Sequence, residues 1–381
     1  MPAIFTATVR DLSHKGLGVI DHSDGRVFFV RGTWPGDIGE FEIPENATSY
    51  NEAKLHKIIK PSPDRVEISC AFKGTTPGTC GGCTWMMASY ESQLKFKAKR
   101  VIHALAKRQV EYGKLNSIVG SPKVYGYRNR AQFKTDGKDL GYVSEATNIL
   151  APVKDCMILN ANLRDLFQRL LLSLPRQDFY PAEGYLWNYI DVDDEVKISE
   201  IKLNRRRPFR QGNTEQNENM KAWVRNKFSG IPRHFPIVDL FSGSGNFTEV
   251  LSEMGFENIL AVEVQGVALD ELKLKNLNGV RVLPLDLNQK GAWAQLAKHQ
   301  PHAKAILIDP PREGIEKRRG FFKYLDNLEQ IFYISCEVDS ASRDLKDMTS
   351  HHWDILDITP LDLFPHTPHV EILASLRRKT R

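Results

Sequence analysis

The sequence predicts a multi-domain α/β protein. We read a small β-barrel over residues 1–60, a central α+β segment over 61–230, and an open, mostly parallel sheet flanked by helices over 231–381. Three observations carry this. Residues 3–60 alternate short apolar stretches with Gly and Asp turns, the pattern of a small all-β module. Beyond residue 235, apolar strand-like runs alternate with helix-like segments at βα spacing. A length of 381 residues suits two or three domains of ordinary size.

Composition narrows the class further. With 41% hydrophobic and 26% charged residues the chain has the balance of a folded globular protein. No run of about 18 apolar residues is present, so no membrane-spanning helix is expected. Met1-Pro2-Ala3-Ile4-Phe5 leads into Arg10, Asp11 and Lys15 without the basic-then-apolar order of a secretory leader, and the expectation is a cytoplasmic protein with no membrane partner. The net charge of +5 is unevenly spread. Residues 61–230 hold 27 basic and 18 acidic side chains, while the flanking segments are slightly acidic. A polyanion is expected to dock on that middle segment.

Taken in order, Ala7-Thr8-Val9, Gly16–Ile20, Asp24–Val30 and Gly39–Ile43 are the strands of the barrel, and Pro61-Ser62-Pro63 is a linker. Tyr90–Arg108 places Leu94, Val101, Ile102 and Leu105 at helical spacing among six Lys and Arg, a basic amphipathic helix. A strand is expected over Val196–Leu203. Tyr125–Gln132, which holds Arg128 and Arg130, and Arg205–Asn213, which holds Phe209 and Gln211, mix basic, aromatic and amide side chains. Such mixtures suit base stacking beside phosphate contacts. The later strands are Pro236–Phe241, Ile259–Glu263, Val280–Leu283, Ala305–Asp309 and Ile331–Ser335.

Chemistry-bearing residues cluster at the ends of these strands. In Asp239-Leu-Phe-Ser-Gly-Ser-Gly-Asn246 the glycines let the backbone approach a ligand closely. Glu263 can accept from both hydroxyls of a ribose, and Asp286 from an adenine amino group. The loop lacks the glycine spacing of a dinucleotide fingerprint, so S-adenosylmethionine fits better than NAD. Asp309-Pro-Pro-Arg312 is a rigid turn projecting an acid and a base toward one edge. Cys336 follows the fifth strand, where a thiolate can reach a substrate. Phe364–Glu371 is a turn entering a strand, with Glu371 a candidate base. His366 and His369 sit among prolines and read as turn residues. The five cysteines fit no disulfide framework. Cys70-x9-Cys80-x2-Cys83 with Cys156 can supply four thiolates to zinc or to an iron–sulfur cluster. Cys336 is then left over.

Together these motifs resemble the uracil-5 RNA methyltransferases that use S-adenosylmethionine, in particular the iron–sulfur-containing 23S rRNA members, over essentially the whole chain. The resemblance implies that residues 1–60 are an OB-like TRAM barrel. It implies that 61–230 is an RNA-binding domain in which Cys70, Cys80, Cys83 and Cys156 ligate a [4Fe–4S] cluster. Residues 231–381 are then a Rossmann-like methyltransferase domain. Phe209-Arg-Gln211-Gly-Asn213, Asp309-Pro-Pro-Arg312-x-Gly, Ser335-Cys336 and Phe364–Glu371 match the family's elements. By resemblance Gln211, Phe241, Asn246, Glu263, Asp286 and Asp309 line the methyl donor or the target base, and Arg312, Arg128, Arg130 and Phe209 contact RNA. The implied chemistry is addition of the Cys336 thiolate to carbon 6 of uracil, methylation at carbon 5, and proton removal by Glu371. Three departures are visible. The gap between the first two cysteines is longer than usual, so that Ala71–Thr79 must bulge outward; Glu337-Val338 replace the usual Asn-Pro; and Ile372 follows Glu371. The same chemistry on tRNA is the nearest alternative, although the family's bacterial tRNA branch generally lacks the cysteines and the barrel. A non-catalytic RNA-binding or ribosome-assembly factor is another. The family expectation is a monomer.

Overall fold

A computed structural model describes residues 3–44, 51–316 and 318–379; Met1 and Pro2, weighed above for a leader, lie outside them. Two compact units result, one of Met1–Phe96, Lys123–Arg207 and Phe364–Pro368, the other of Lys97–Pro122, Pro208–Leu363 and His369–Arg381.

In the first unit, β1 (Ala3–Thr8), β2 (Asp11–Leu12), β3 (Gly18–Asp21), β4 (Val27–Val30), β5 (Ile38–Ile43) and β6 (Glu52–Lys60) form one sheet in the order β1-β5-β6-β4-β3-β2. Alternation turns Ile20, Phe28, Val30 and Phe41 into a common core. The buried Asp37 carboxylate ties this module together. It accepts from Trp34 N (2.7 Å), Ser62 N (2.9 Å) and the Arg65 guanidinium (2.7 Å). The helix expected over Tyr90–Arg108 is α1 (Tyr90–Lys107).

The remaining sheet of this unit is antiparallel. It contains β8 (Arg130–Thr135), β9 (Leu140–Val143), β10 (Leu150–Pro152) and β11 (Asn188–Asp193) in the order β10-β9-β8-β11; β7 (Lys114–Leu115) belongs to the second unit. One face buries Ala131, Phe133, Ile190 and Val192 against Leu163, Leu166, Phe167 and Leu170 of α2 (Ala161–Leu172), which Asn160 caps through Leu163 N. The strand expected over Val196–Leu203 is not continuous. Ile198–Glu200 is a 3-10 turn, and Leu203 makes one bridge to Ile190. The apolar residues there are Val196, Ile198, Ile201 and Leu203, a broken alternation that a turn satisfies better than a strand.

The second unit is built on an eight-stranded sheet. It comprises β12 (Ile237–Leu240), β13 (Ile259–Glu263), β14 (Val280–Pro284), β15 (Ala305–Ile308), β16 (Gln330–Ser335), β17 (Trp353–Leu361), β18 (Glu371–Arg378) and β7, ordered β14-β13-β12-β15-β16-β18-β17-β7. Strands β12 to β16 pair in parallel. Helices α3 (Thr214–Phe228), α4 (Asn246–Glu253), α5 (Val267–Leu274), α6 (Ala292–His299), α7 (Arg318–Tyr324) and α8 (Val338–Ser350) connect or flank them. The central strands β12 and β15 are buried along their whole length, as expected for apolar runs covered on both faces. The order reverses between β12 and β15, the switch point where ligands bind in such sheets. Antiparallel β18 then brings the start of a late strand to the carboxyl ends of the parallel ones.

Candidate active site

All strand-end residues singled out in the sequence fall on that one edge of the second unit. Phe241 follows β12, Glu263 ends β13, Asp286 follows β14, Asp309 follows β15 and Cys336 follows β16. Ser335 pairs with Ile372, so the next position on each strand sets Cys336 opposite Glu371. One antiparallel register thus juxtaposes a thiol and a carboxyl.

The electrostatics of this edge are unusual. Glu371 is 3% exposed, and burial pushes its carboxyl up to about 8, with Asp309 and Glu337 adding to the rise and Arg312 opposing it. Asp309 is raised to about 7, first by burial and then by Asp239. Asp239 is also raised to about 7 by burial, with Glu263 adding, although the Thr248 hydroxyl donates to it at 2.5 Å. The Cys336 thiol is pushed up to about 12, first by burial and then by Glu371 and Asp309, with Arg312 opposing them. The carboxyls thus form a chain of like charges, relieved by Arg312 at one end. Such an edge is disposed to receive a cation.

The glycine loop shows how its ligand side is shaped. Phe241 sits at φ +60°, a left-handed conformation that costs about 1–3 kcal/mol for a side chain of this size. Gly245, at φ +88°, has no room for a Cβ, which would lie 2.4 Å from Leu272 Cδ1. Glu263 accepts from Gly243 N and Val264 N, both at 2.8 Å, so the acid expected to face a ribose also ties down the loop. Asn246 exchanges amide hydrogen bonds with Asn217 of α3 at 2.9 and 3.0 Å. Asp286 accepts from Asn288 N at 2.9 Å.

Two further parts hold this edge in place. In Phe209–Asn213, Asn213 is fully buried and donates to Ser121 Oγ (3.0 Å) and Leu363 O (3.1 Å). Phe209 is 69% exposed. The Asp309–Gly314 turn rests on Asp344, a buried carboxylate that accepts from Ile315 N (2.8 Å) and Tyr333 Oη (2.9 Å). Arg343 pairs with Asp344 and donates to Glu313 O. Sequence spacing gave Asp239 no task of its own and did not single out Asp344. A carboxylate inside the apolar run Ile237-Val238-Asp239-Leu240 was the available signal.

In the first unit, Cys70, Cys80, Cys83 and Cys156 line one small cavity with Phe72, Tyr142 and Ile158. The long gap after Cys70 is absorbed by a fold-back. Cys80 N donates to Phe72 O at 2.8 Å, leaving Thr75–Gly78 exposed. Gly81 must be glycine, because a Cβ would lie 2.5 Å from Glu145 N. Tyr142 Oη donates to Cys156 Sγ at 3.5 Å. Burial raises the thiols of Cys80 and Cys156, and that of Cys83 to about 12. Among the described residues no group of three His, Cys, Asp or Glu converges on a single metal ion. Arg128 and Arg130 are internally engaged in this unit. Arg128 Nε donates to Arg130 O at 2.8 Å, and Arg130 pairs with Asp191 at 2.7 Å.

Comparison with known proteins fits this architecture. The family described as tRNA (Uracil-5-)-methyltransferase matches residues 183–379. An uncharacterized RNA methyltransferase of Nitrosomonas europaea is 42% identical, covering 98% of this chain and 97% of that protein. The 23S rRNA (uracil(1939)-C(5))-methyltransferase RlmD of a Marinomonas strain is 26% identical, covering 99% and 95%. The fold is that of Pyrococcus abyssi tRNA (uracil-54, C5)-methyltransferase, solved with S-adenosyl-L-homocysteine, with a TM-score of 0.69 at 21% identity over 98% of this chain and 100% of that one. A family match over more than half the length, and a relative 42% identical along nearly all of it, establish that the chain belongs to the tRNA (uracil-5-)-methyltransferase family.

Proposed function

We propose that this RNA uracil-5-methyltransferase, with S-adenosylmethionine as its methyl donor, modifies a uridine of 23S rRNA through a covalent bond between Cys336 and the base. The observation that carries the reading is the register that sets Cys336 opposite Glu371 beside Asp309 and Arg312. Carbon 5 of uracil is a poor nucleophile. Addition of the Cys336 thiolate to carbon 6 turns it into an enolate carbon, splitting one hard step into easier ones. When bound, S-adenosylmethionine supplies an electrophilic methyl carbon on a cationic sulfonium. Glu371 then takes the proton from carbon 5, the C6–S bond breaks, and 5-methyluridine leaves. A carboxyl held near 8 is well matched to accept that proton at neutral pH.

Cys336 is a thiol in the free protein, so it must lose its proton to solvent as the site fills, leaving Glu371 free for the carbon-5 proton. A cation beside Asp309 and Asp239 favours their ionised forms and stabilises a thiolate at Cys336. Asp309 orients the polar edge of uracil. Gln211, Phe241, Asn246, Glu263 and Asp286 hold the donor. Phe209 and Arg312 meet the RNA. Arg128 and Arg130, tied up within their own unit, support the central domain rather than contact RNA directly. The target base is unstacked to enter, at a few kcal/mol.

The same reading gives residues 1–60 to an RNA-binding barrel, 61–230 to the central domain and 231–381 to the methyltransferase domain of a cytoplasmic monomer. Cys70, Cys80, Cys83 and Cys156 would hold a [4Fe–4S] cluster with a structural or RNA-positioning role. Four thiols lining one small cavity suit a soft metal centre, and the resemblance to the iron–sulfur members of the family is what favours the cluster. The 23S assignment follows the RlmD relatives, which align over nearly their full lengths. The deciding experiment offers purified 23S rRNA and bulk tRNA with labelled donor, then maps 5-methyluridine. Label in tRNA alone overturns the rRNA assignment, and label in neither overturns the activity.

A further inference from the structure

The antiparallel sheet of the first unit has one face buried on α2, and its other face is not uniform: Asp191 and Asp193 at one end are buried, while Lys134 and Tyr189 at the other are half-buried. Cross-strand partners on it are Arg130 with Asp193, Gln132 with Asp191, and Lys134 with Tyr189. At the first end charges cancel: Arg130 pairs with Asp191, and Arg207 with Asp193. At the other end they do not. The Lys134 ammonium lies 4.3 Å from the Trp187 ring centroid and 5.0 Å from that of Tyr189, and it donates to Gln132 Oε1 at 2.7 Å. Exposed Arg206 is close enough to depress the ionisation of Lys134, after desolvation, with Asp191 opposing. On the loop entering β11, Tyr185 is 72% and Leu186 66% exposed. Trp187 Nε1 is anchored to Asn148 O at 3.0 Å, so its ring is fixed in place.

We propose that this end of the sheet is a docking platform for an unpaired stretch of the RNA substrate, a reading that rests on the RNA methyltransferase function above. The chemistry is complementary on both counts. Tyr185 and Trp187 offer ring surface on which bases stack, a contact tolerant of sequence. Lys134 stands over the Trp187 ring, with Arg206 near enough to Lys134 to act on it electrostatically, where a backbone phosphate on a stacked nucleotide needs neutralising. An exposed Tyr-Leu pair beside a half-buried Trp is apolar surface that a docking role accounts for. The sheet also supplies the rigidity that a stacking platform needs, because Lys134 and Tyr189 are locked in register.

The test measures binding of a labelled single-stranded RNA oligonucleotide, and of a duplex of the same length, to the full chain. The variants are Tyr185→Ala/Trp187→Ala, Lys134→Ala and Lys138→Ala, the last an exposed lysine on a turn of the same sheet. The paired aromatic variant should lose at least about tenfold in single-strand affinity, within the range for loss of stacked bases, with little change on duplex. Lys134→Ala should reduce the slope of log affinity against log salt by about 0.7, while Lys138→Ala leaves it in place. Equal losses from Lys134→Ala and Lys138→Ala would mean only diffuse charge and would overturn the platform. So would unchanged RNA affinity in the aromatic variant, including the case in which that variant alters self-association and thereby marks a protein contact. Thermal unfolding of each variant checks that the fold is kept. Wild-type chain that binds the oligonucleotide but methylates no RNA would remove the functional reading and leave the platform standing.

Discussion

The five cysteines occupy two regions that look alike in exposure and differ in company. All are partly exposed thiols. Around Cys80, Cys83 and Cys156 the groups opposing ionisation, after burial, include the other thiols, so one shared positive centre relieves several at once. Around Cys336 the opposing groups are the carboxyls Glu371, Asp309 and Glu337, with Arg312 the countercharge. A set of thiols that repel one another suits ligands; a single thiol among carboxyls suits a nucleophile released by protonation or by an arriving cation. The neighbours, and not the accessibility, separate the two proposed roles.

The comparison is broken most directly by exchanging the roles. Cys336→Ala should lower methyl transfer by about 10⁴-fold or more and abolish any protein–RNA adduct on denaturing gels, because the addition step is lost. Residual turnover within tenfold of wild type would remove Cys336 as nucleophile. Glu371→Gln should cost about 10²–10⁴-fold in rate and let adduct accumulate, since carbon 5 keeps its proton. Cys80→Ser or Cys83→Ser should instead abolish iron binding, about four irons per chain in protein purified without oxygen. Stoichiometric zinc in the wild type would reverse the cluster assignment.

Smaller effects sharpen the electrostatic side. Asp309→Asn removes a like charge and should lower the thiol pKa of Cys336 from about 12, read as faster alkylation of Cys336 at pH 9 in the free protein. Buried Asp239, Asp309 and Glu371 bind protons more tightly folded than unfolded. The stability they contribute is therefore fully present below about pH 4 and is lost as pH rises through about 7 to 8. Thermal unfolding between pH 5 and 9 should show that decline, and Glu371→Gln should flatten its upper part. The smallest change is expected from Asp344→Asn, which loosens the turn carrying Arg312. A drop of about tenfold in turnover with unchanged donor affinity would fit a positioning role.

Much of this was legible in sequence because strand ends are written as apolar runs that stop at a polar residue. Asp309, Glu263 and Cys336 each follow such a run, and the basic helix of Tyr90–Lys107 shows its periodicity plainly. What sequence could not carry was pairing between distant segments. The Arg130–Asp191 ion pair, the Asn246–Asn217 amide exchange and the Lys134–Trp187 contact each depend on which elements lie side by side. Local spacing also misread Val196–Leu203, where tertiary burial of four apolar residues suits a turn.

The pairing of β16 with β18 has a consequence for how this enzyme can change. Because the two strands run in opposite directions, Cys336 and Glu371 are opposed by a ladder lying behind them, at Ser335 and Ile372, and not by the chain linking them. Length changes between residues 337 and 370 leave that opposition intact as long as the ladder re-forms. A single residue inserted within β18 near Ile372 would instead turn the carboxyl to the opposite side of the sheet. Length changes in the loops of the long excursion are thus tolerated far better than any slip at the end of β16 or the start of β18, where the frame is set.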